Sequence, residues 1–504
     1  MGNGKGERMR WNHLTLILLL VAFVLVSAWT IEHSPSLCFD EGWVLSVAKN
    51  WAEGHGYNQY LLDKPVPAKM LNIGFPAIAP IALSFRVWSV GIWQGRLPSL
   101  LFSVGSLLLL YFLSSRLFTV QVARITLLAV FLLSGVLHPL IWGKQAIGEV
   151  SATFYLLAGL AVFLVGGRTR TLLVLSGVLL SLACVTKQQF LPFVTAALFA
   201  PLILAALHKS WQQARILVYW LGSMAMSFLV LVYVQRTLVG DEILTEPGLY
   251  SSTAFVTVPS VRLLALLGLL IQGLPTLLGL SYACRRESFQ YSSRQRITQL
   301  VLLTFSLSWM AWYVLCSVGW ARYLYPCLLA ASPFVGQFFD SLIRQMRRAL
   351  EQRRVWAGLV TTLLVAGLVI WSGSFTVTAV SKNLSVRDDS LIHLAGFLNG
   401  LKDGRVIESL DMEVFFMLRT RNYHHPPDRV QLLLNKRSFL GEEVVIDYDP
   451  LAADPEYLVI GPASRGWGVY EPVLKENDFV PLGRAGNYEV YRRVRPGKKE
   501  RPPS

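Results

Sequence analysis

The stretch IGFPAIAPIALSFRVWSVGIW, residues Ile73 to Trp93, decides the topology of this chain. It is apolar and long enough to cross a bilayer, which takes roughly 20 residues of helix. It also holds Pro76, Pro80 and Arg86. Other apolar runs recur at 11–31, 97–115, 124–141, 149–166, 171–186, 189–207, 216–234, 262–283, 297–317, 322–342 and 355–375, about eleven spans. The basic clusters between them are Arg116 with Arg124, Arg168 with Arg170, Lys209 with Arg215, Arg285 through Arg296, and Arg344 through Arg354. Cytoplasmic loops concentrate Lys and Arg. If 73–93 does not cross, every cluster falls on the side of the N-terminus. If it crosses, every cluster moves to the opposite side. The stretch therefore reads as an amphipathic helix in the outer interface, within a first outer loop from Glu32 to Arg96.

Composition agrees with a membrane protein. Of the 504 residues 53% are hydrophobic and 15% charged, against roughly 25% charged in soluble proteins. Mean hydropathy is +0.47. The net charge of +15 lies in short loops between spans, where it reads as an orientation signal and a contact for anionic lipid, not for nucleic acid. Basic residues from Lys5 to Arg10 precede the run Trp11–Ile31, which is too long for a signal-peptide core and reads as a signal anchor. Cys38, Cys184, Cys284, Cys316 and Cys327 show no CxxC spacing and read as small core residues.

Past Phe375 the texture changes. Strand-like runs at 405–408, 456–460 and 488–491 alternate with helix-like segments at 388–401 and 411–418. The expected fold is mainly α: a polytopic transmembrane helical bundle over 1–375, with a small extracytoplasmic α/β domain over 376–492. Residues 493–504 read as a disordered basic tail.

The spans are almost free of acidic residues, so the ionisable groups of the outer face form the functional shortlist. Phe39-Asp40-Glu41-Gly42-Trp43 sets two carboxylates just past the first span. Lys64, Lys69, Arg86, Arg96, Lys144, Glu149, Lys187, Arg322 and Tyr323 share that face. Glu149 opens a span, where it either faces a cavity or answers the helix dipole. Lys187 and Arg322 suit a lipid phosphate, and ordinary snorkelling at the interface is the plainer reading of each. Glu53 and His55 match no specific metal-ligand spacing. His424-His425, before Pro426-Pro427, reads as a surface loop.

The chain resembles the glycosyltransferase-C superfamily, most nearly the bacterial relatives of protein O-mannosyltransferases and of lipid A aminoarabinose transferases. The residues that carry the likeness are Phe39–Trp43, Gly95-Arg96-Leu97-Pro98-Ser99, Gly143-Lys144-Gln145-Ala146-Ile147-Gly148-Glu149, Thr186-Lys187 and Arg322-Tyr323-Leu324-Tyr325-Pro326. The likeness covers roughly 1–375. It implies an inverting transferase that takes a hexose or pentose from a polyprenyl-phosphate carrier at the non-cytoplasmic face of a bacterial inner membrane. Asp40 maps to the expected base and Glu149 to the acidic residue that opens the fourth span. Two positions depart from the pattern. The aminoarabinose enzymes carry Lys before a Pro-Pro pair where this chain has Gly74-Phe75-Pro76, and Lys144 replaces an Arg.

The chemistry suits these residues on its own terms. A hydroxyl acceptor needs a positioned base, and a departing phosphate needs preplaced cations. Lys187, Arg322, Tyr323, Lys64 and Arg96 are the candidate lipid-phosphate group. Glu41 is free to orient the acceptor or a divalent cation, the one cofactor left open. The partners are then a polyprenyl-phosphate-linked sugar, membrane lipid and an acceptor glycan, lipid or protein. A secondary transporter, with ionisable groups near mid-membrane, and a non-catalytic assembly protein for envelope polymers are the alternatives.

Overall fold

The computed structural model describes residues 4–68, 71–166, 169–239, 255–256, 258–286, 294–352, 355–401, 405–476 and 478–495. Lys69, Arg168, most of the loop 235–262 and the tail beyond 495 lie outside the described residues.

The bundle begins with α1 (Gly4–Thr30). The first outer loop folds as α2 (Phe39–Ala52), a hairpin of β1 (Asn58–Leu61) and β2 (Lys64–Pro67), and α3 (Phe75–Trp88). Next come α4 (Ile92–Leu117), α5 (Val120–Leu132), the single turn α6 (Pro139–Trp142), α7 (Gly148–Val165), α8 (Arg170–Thr186), α9 (Phe190–Leu207) and α10 (Trp211–Val239). The bundle closes with α11 (Pro259–Gln272), α12 (Leu274–Arg286), α13 (Arg294–Leu315), α14 (Tyr325–Glu351) and α15 (Val355–Ser385).

Among the described residues, seven helices are long and apolar enough to cross a membrane, and α11 with α12, bent by 80°, counts as an eighth if the pair is one span. The shorter apolar helices Leu16–Thr30, Val120–Leu132 and Arg170–Thr186 bring the total to the eleven apolar runs of the sequence. The fold is that of a polytopic membrane protein. Two runs differ from their sequence reading. The run 262–283 breaks at Gly273, and 124–141 splits at Leu133 into α5, a tight turn at Gly135–Leu137 and α6.

The stretch 73–93 forms α3 and the start of α4. Pro76 sits in the first turn of α3, where its missing N–H costs no helical hydrogen bond. Ala77, Ile78, Ile81 and Phe85 are buried, and Leu83, Val87 and Trp88 are exposed. Gly74, just before the helix, donates its N–H to the carbonyl of Thr186 at the end of α8 (2.9 Å). A Cβ there would stand 2.1 Å from the Val185 carbonyl oxygen, so only glycine permits this approach to the end of α8.

Past α15 the chain forms α16 (Ser390–Asn399), β3 (Ile407–Glu408), α17 (Met412–Met417), β4 (Tyr423–His424), α18 (Asp428–Asn435), β5 (Tyr457–Ile460), α19 (Pro462–Trp467), α20 (Glu471–Lys475), β6 (Phe479–Ala485) and β7 (Tyr488–Arg493). The five strands lie in the order β4-β3-β5-β7-β6. β3 runs parallel to both neighbours, and β7 runs antiparallel to β5 and β6. His424-His425 is not a surface loop. His424 lies in β4 with its ring 2.6 Å from the Glu408 carboxylate, and His425 is buried. The parallel sheet draws this segment inward beside β3.

The domain past α15, named the outer domain for its expected side, and the loop between α1 and α4 share one hydrophobic core. Trp43, Val44, Leu45 and Val47 of α2 pack in a single cluster with Leu394, Met412, Phe415, Tyr457 and Val490. Gly42 makes the docking close, since a Cβ there would lie 2.2 Å from the Glu413 Cα. At the other end of α2, Lys49 donates to the carbonyls of Phe416 (3.3 Å) and Leu418 (2.5 Å). The helix that begins with the acidic pair is thereby clamped to α17 along its length.

Candidate active site

Asp40 and Glu41 occupy the first turn of α2, where unpaired N–H groups favour carboxylates. Successive helical residues point about 100° apart, so the two side chains cannot share a direction. Glu41 turns inward and is fully buried. Arg96 Nε donates to its Oε1 (2.8 Å) and Arg96 Nη2 to its Oε2 (2.6 Å), a two-pronged match of guanidinium to carboxylate. The Ala146 N–H donates to Oε1 as well (2.8 Å), and Arg96 Nη1 donates to the Ile31 carbonyl (2.8 Å). This one pair ties α2 to α4, the end of α1 and the turn before α7.

Asp40 turns outward, with its side chain 36% exposed, and forms an ion pair with Arg322, whose side chain is 12% exposed. Both line a cavity of about 660 Å³ between the top of the bundle and the outer domain. Lys187 and Tyr323 line it too. Arg322 stands 4.6 Å from the Trp320 ring centre and 5.4 Å from that of Tyr323, which holds the guanidinium against aromatic faces. Lys187 caps the C-terminal end of α8, with its ammonium 3.3 Å from Glu149 and 6.0 Å from the Tyr323 ring centre. Glu149 opens α7 and is buried behind Lys187. The result is a partly exposed carboxylate and two cations lining one cavity, each cation fixed by an aromatic or acidic neighbour.

Two residues of the candidate lipid-phosphate group stand apart from the cavity. Arg96 is sealed beneath it and fully engaged by Glu41. Lys64 is exposed on β2. Lys144, also sealed, donates to the Thr30 hydroxyl. Burial first, and then the Arg96 charge, push its ammonium down to about 7, and Glu41 partly offsets both. Among the described residues no group of three or more His, Cys, Asp or Glu side chains is placed to hold a metal ion. Glu53 pairs with Arg421 (2.7 Å), and His55 packs edge-on against Tyr60.

Sequence reasoning missed the opposite wall of the cavity. It is made by Gln431 and Asn435 of α18 and by Trp467 of α19. Trp142 and Trp320 contribute from the bundle side. No local pattern marks these residues, because the outer sheet alone brings α18 and α19 over the bundle.

No protein-family model matches the chain, and no curated protein matches its sequence. Solved structures do match it. The structure of ArnT from Cupriavidus metallidurans in the apo state is similar over 95% of this chain and 98% of that one, with a TM-score of 0.65 at 15% identity. The same enzyme bound to undecaprenyl phosphate matches with a TM-score of 0.63 at 14% identity. The archaeal oligosaccharyltransferase AglB from Archaeoglobus fulgidus, in complex with an inhibitory peptide and a dolichol-phosphate, matches 97% of this chain and 74% of that one. Its TM-score is 0.60 at 12% identity. The chain has the glycosyltransferase-C fold. Within this glycosyltransferase-C fold the motif residues separate into two tiers. Asp40, Lys187, Arg322 and Tyr323 reach the cavity, whereas Glu41 and Arg96 close up below it.

Proposed function

We propose that the chain is an integral membrane glycosyltransferase that moves a sugar from a polyprenyl phosphate to a hydroxyl acceptor at the extracytoplasmic face. The observation that carries this reading is one cavity lined by a partly exposed Asp40 and by the cations of Lys187 and Arg322. Asp40 accepts the proton of the acceptor hydroxyl as its oxygen attacks the anomeric carbon. The bond from that carbon to the phosphate oxygen breaks, and its electron pair leaves with the lipid phosphate. Negative charge grows on the phosphate as this happens, and preplaced cations stabilise it without reorganising. A single displacement of this kind inverts the anomeric centre.

Before the donor enters, Arg322 is occupied by Asp40. A donor phosphate competes for the guanidinium, whose planar fork suits phosphate as well as carboxylate. Donor binding thereby frees the base for the acceptor. Glu149 keeps Lys187 in place, and Glu41 holds the first turn of α2 so that Asp40 faces the cavity.

The test uses the purified full chain with a polyprenyl-phosphate-linked sugar identified by profiling lipid-linked sugars that accumulate in a deletion strain. Asp40→Asn lowers kcat by about a hundred- to ten-thousand-fold while undecaprenyl phosphate still binds. Unchanged turnover in that variant refutes the mechanism. Absence of any accumulated lipid-linked sugar in the deletion strain speaks for transport or for an assembly role.

A further inference from the structure

We infer that the acceptor is a neutral saccharide, held through its sugar face by Trp467 and through its hydroxyls by Asn435 and Gln431. This inference rests on the transferase reading and gives it a substrate class.

The charges of the cavity are confined to one side. Asp40, Lys187 and Arg322 all come from the bundle or the first outer loop. The wall supplied by the outer domain contains Gln431, Asn435, Pro462, Ala463, Gly466 and Trp467, none of them charged. The two cations are committed to Glu149, Asp40 and the donor phosphate. Among the described lining residues no further cation is left for an acceptor that carries its own phosphate or carboxylate.

Among the described residues, the amides on this wall make no side-chain hydrogen bond. Asn435 is only 5% exposed, and among the described residues its side chain makes no hydrogen bond. Gln431, one helical turn earlier, makes none either. Across the cavity, Asn72 Oδ1 is buried with no partner among the described residues. The Asn435 and Gln431 amides line the cavity, and an amide carries both donors and an acceptor, so these positions suit a ligand rich in groups that donate and accept together. Sugar hydroxyls do both.

Trp467 completes the pattern. Its ring centre lies 6.5 Å from that of Phe39, the residue before Asp40, and its carbonyl accepts from Arg437 Nη2 (3.0 Å). A fixed, partly exposed indole offers an apolar face to the C–H face of a pyranose, with the amides close by for its edge. A peptide acceptor is served less well, because the described residues of the outer wall lie on helices and present no strand edge for an extended chain.

The test reads binding separately from turnover. The detergent-solubilised full chain is applied to arrays of neutral oligosaccharides, phosphorylated disaccharide glycolipids and hydroxyl-bearing peptides. Neutral oligosaccharides are retained, Trp467→Ala and Asn435→Ala weaken their binding by about tenfold, and Trp467→Phe restores most of it. Undecaprenyl phosphate binds every variant equally, which shows that they remain folded. Retention of only the phosphorylated glycolipids, of only the peptides or of nothing overturns the inference, as does retention indifferent to Trp467 and Asn435. Glycan binding through Trp467 without any transfer from a polyprenyl-phosphate sugar leaves the subsite standing and sinks the transferase reading instead.

Discussion

Asp40 and Glu41 are neighbours in the sequence, yet one borders a cavity and the other is sealed in protein. Each is paired with an arginine. The Asp40–Arg322 pair stands at the water-accessible edge, where a phosphate can compete for the guanidinium. The Glu41–Arg96 pair has no exposed surface, and backbone groups of Ala146 and Ile31 take up its remaining hydrogen bonds. The difference teaches that an acidic pair can divide its work: one carboxylate builds the floor and the other faces the cavity, where the proposed reaction needs a base.

The comparison breaks most visibly at Glu41. Glu41→Ala strands a buried guanidinium, and removing one partner of such a pair costs about 3–5 kcal/mol. The expected result is a large drop in melting temperature or a loss of folded protein in detergent. Asp40→Asn leaves the melting temperature nearly unchanged while turnover collapses. Exchanging both buried partners, Glu41→Leu with Arg96→Met, recovers part of the stability but not all of it, because the Ala146 N–H and the Ile31 carbonyl then lack partners. Equal melting temperatures for Asp40→Asn and Glu41→Ala would erase the distinction between floor and reactive group.

A smaller effect follows from the seam behind the pair. The obstacle to a side chain at Gly42 is the backbone of Glu413, with its nitrogen 2.3 Å from an added Cβ, so no rotamer change relieves the clash. Gly42→Ala must separate α2 from α17, at about 1–3 kcal/mol for an overpacked contact. That separation also moves Asp40 relative to the outer wall. A cysteine pair that bridges α2 and α17, read together with acceptor KM, sharpens the comparison: the variant raises acceptor KM more than it weakens binding of undecaprenyl phosphate. A change of equal size in both would place the damage in the bundle.

Glu413 itself gives a dependence on pH. Burial, and then the nearby Asp411 charge, push its carboxyl from 4.5 up to about 8. The folded state therefore holds a proton that the unfolded chain releases near the ordinary carboxylate value. This contribution to stability is complete below about 4.5, declines as pH rises through about 8, and is flat above that. Glu413→Gln stays uncharged, keeps an acceptor for the Tyr488 hydroxyl and removes the decline. Thermal unfolding of the two proteins at about pH 6 and about pH 9 should show the variant gaining on the wild type at the higher value. Parallel curves would mean that the seam between α2 and α17 tolerates the ionised group.

Much of this was legible because membranes impose strict rules. Length and hydropathy located the apolar spans, and the scarcity of ionisable residues in them made a shortlist of which Asp40, Lys187 and Arg322 line one cavity. The division between Asp40 and Glu41 was hidden, since it depends on the phase of α2 against α4, which only packing fixes. The hairpin was hidden too. Its turn residues Leu62 and Asp63 both have positive φ, which hairpin turns usually give to glycine, asparagine or aspartate, and Leu62 is none of these. That geometry is held by the Leu62 and Asp63 N–H groups, which donate to the carbonyls of Tyr423 (2.8 Å) and Arg421 (3.1 Å) in the outer domain. Strands β4 and β6 escaped notice for local reasons: β4 is two residues long, and β6 is an edge strand with Pro481 beside an irregularity in register.

The smallest expected effect concerns Lys64, which charge and position placed with the phosphate-binding group. The side chain is exposed on β2, opposite Leu61, and the hairpin's anchor is β4, not the cavity wall. An exposed lysine without a specific partner contributes within about 0.5 kcal/mol to stability, and a charge in water attracts a distant phosphate only weakly. Lys64→Ala should therefore leave the melting temperature, kcat and undecaprenyl phosphate binding within about twofold of the wild type. This near-null result has content, because the hairpin hangs from the outer domain beside the first outer loop. A tenfold loss of donor affinity would mean that β1 and β2 fold over the phosphate when it arrives. The floor would then be rigid and the rim mobile, and the contrast between the two carboxylates would extend to the loop that carries them.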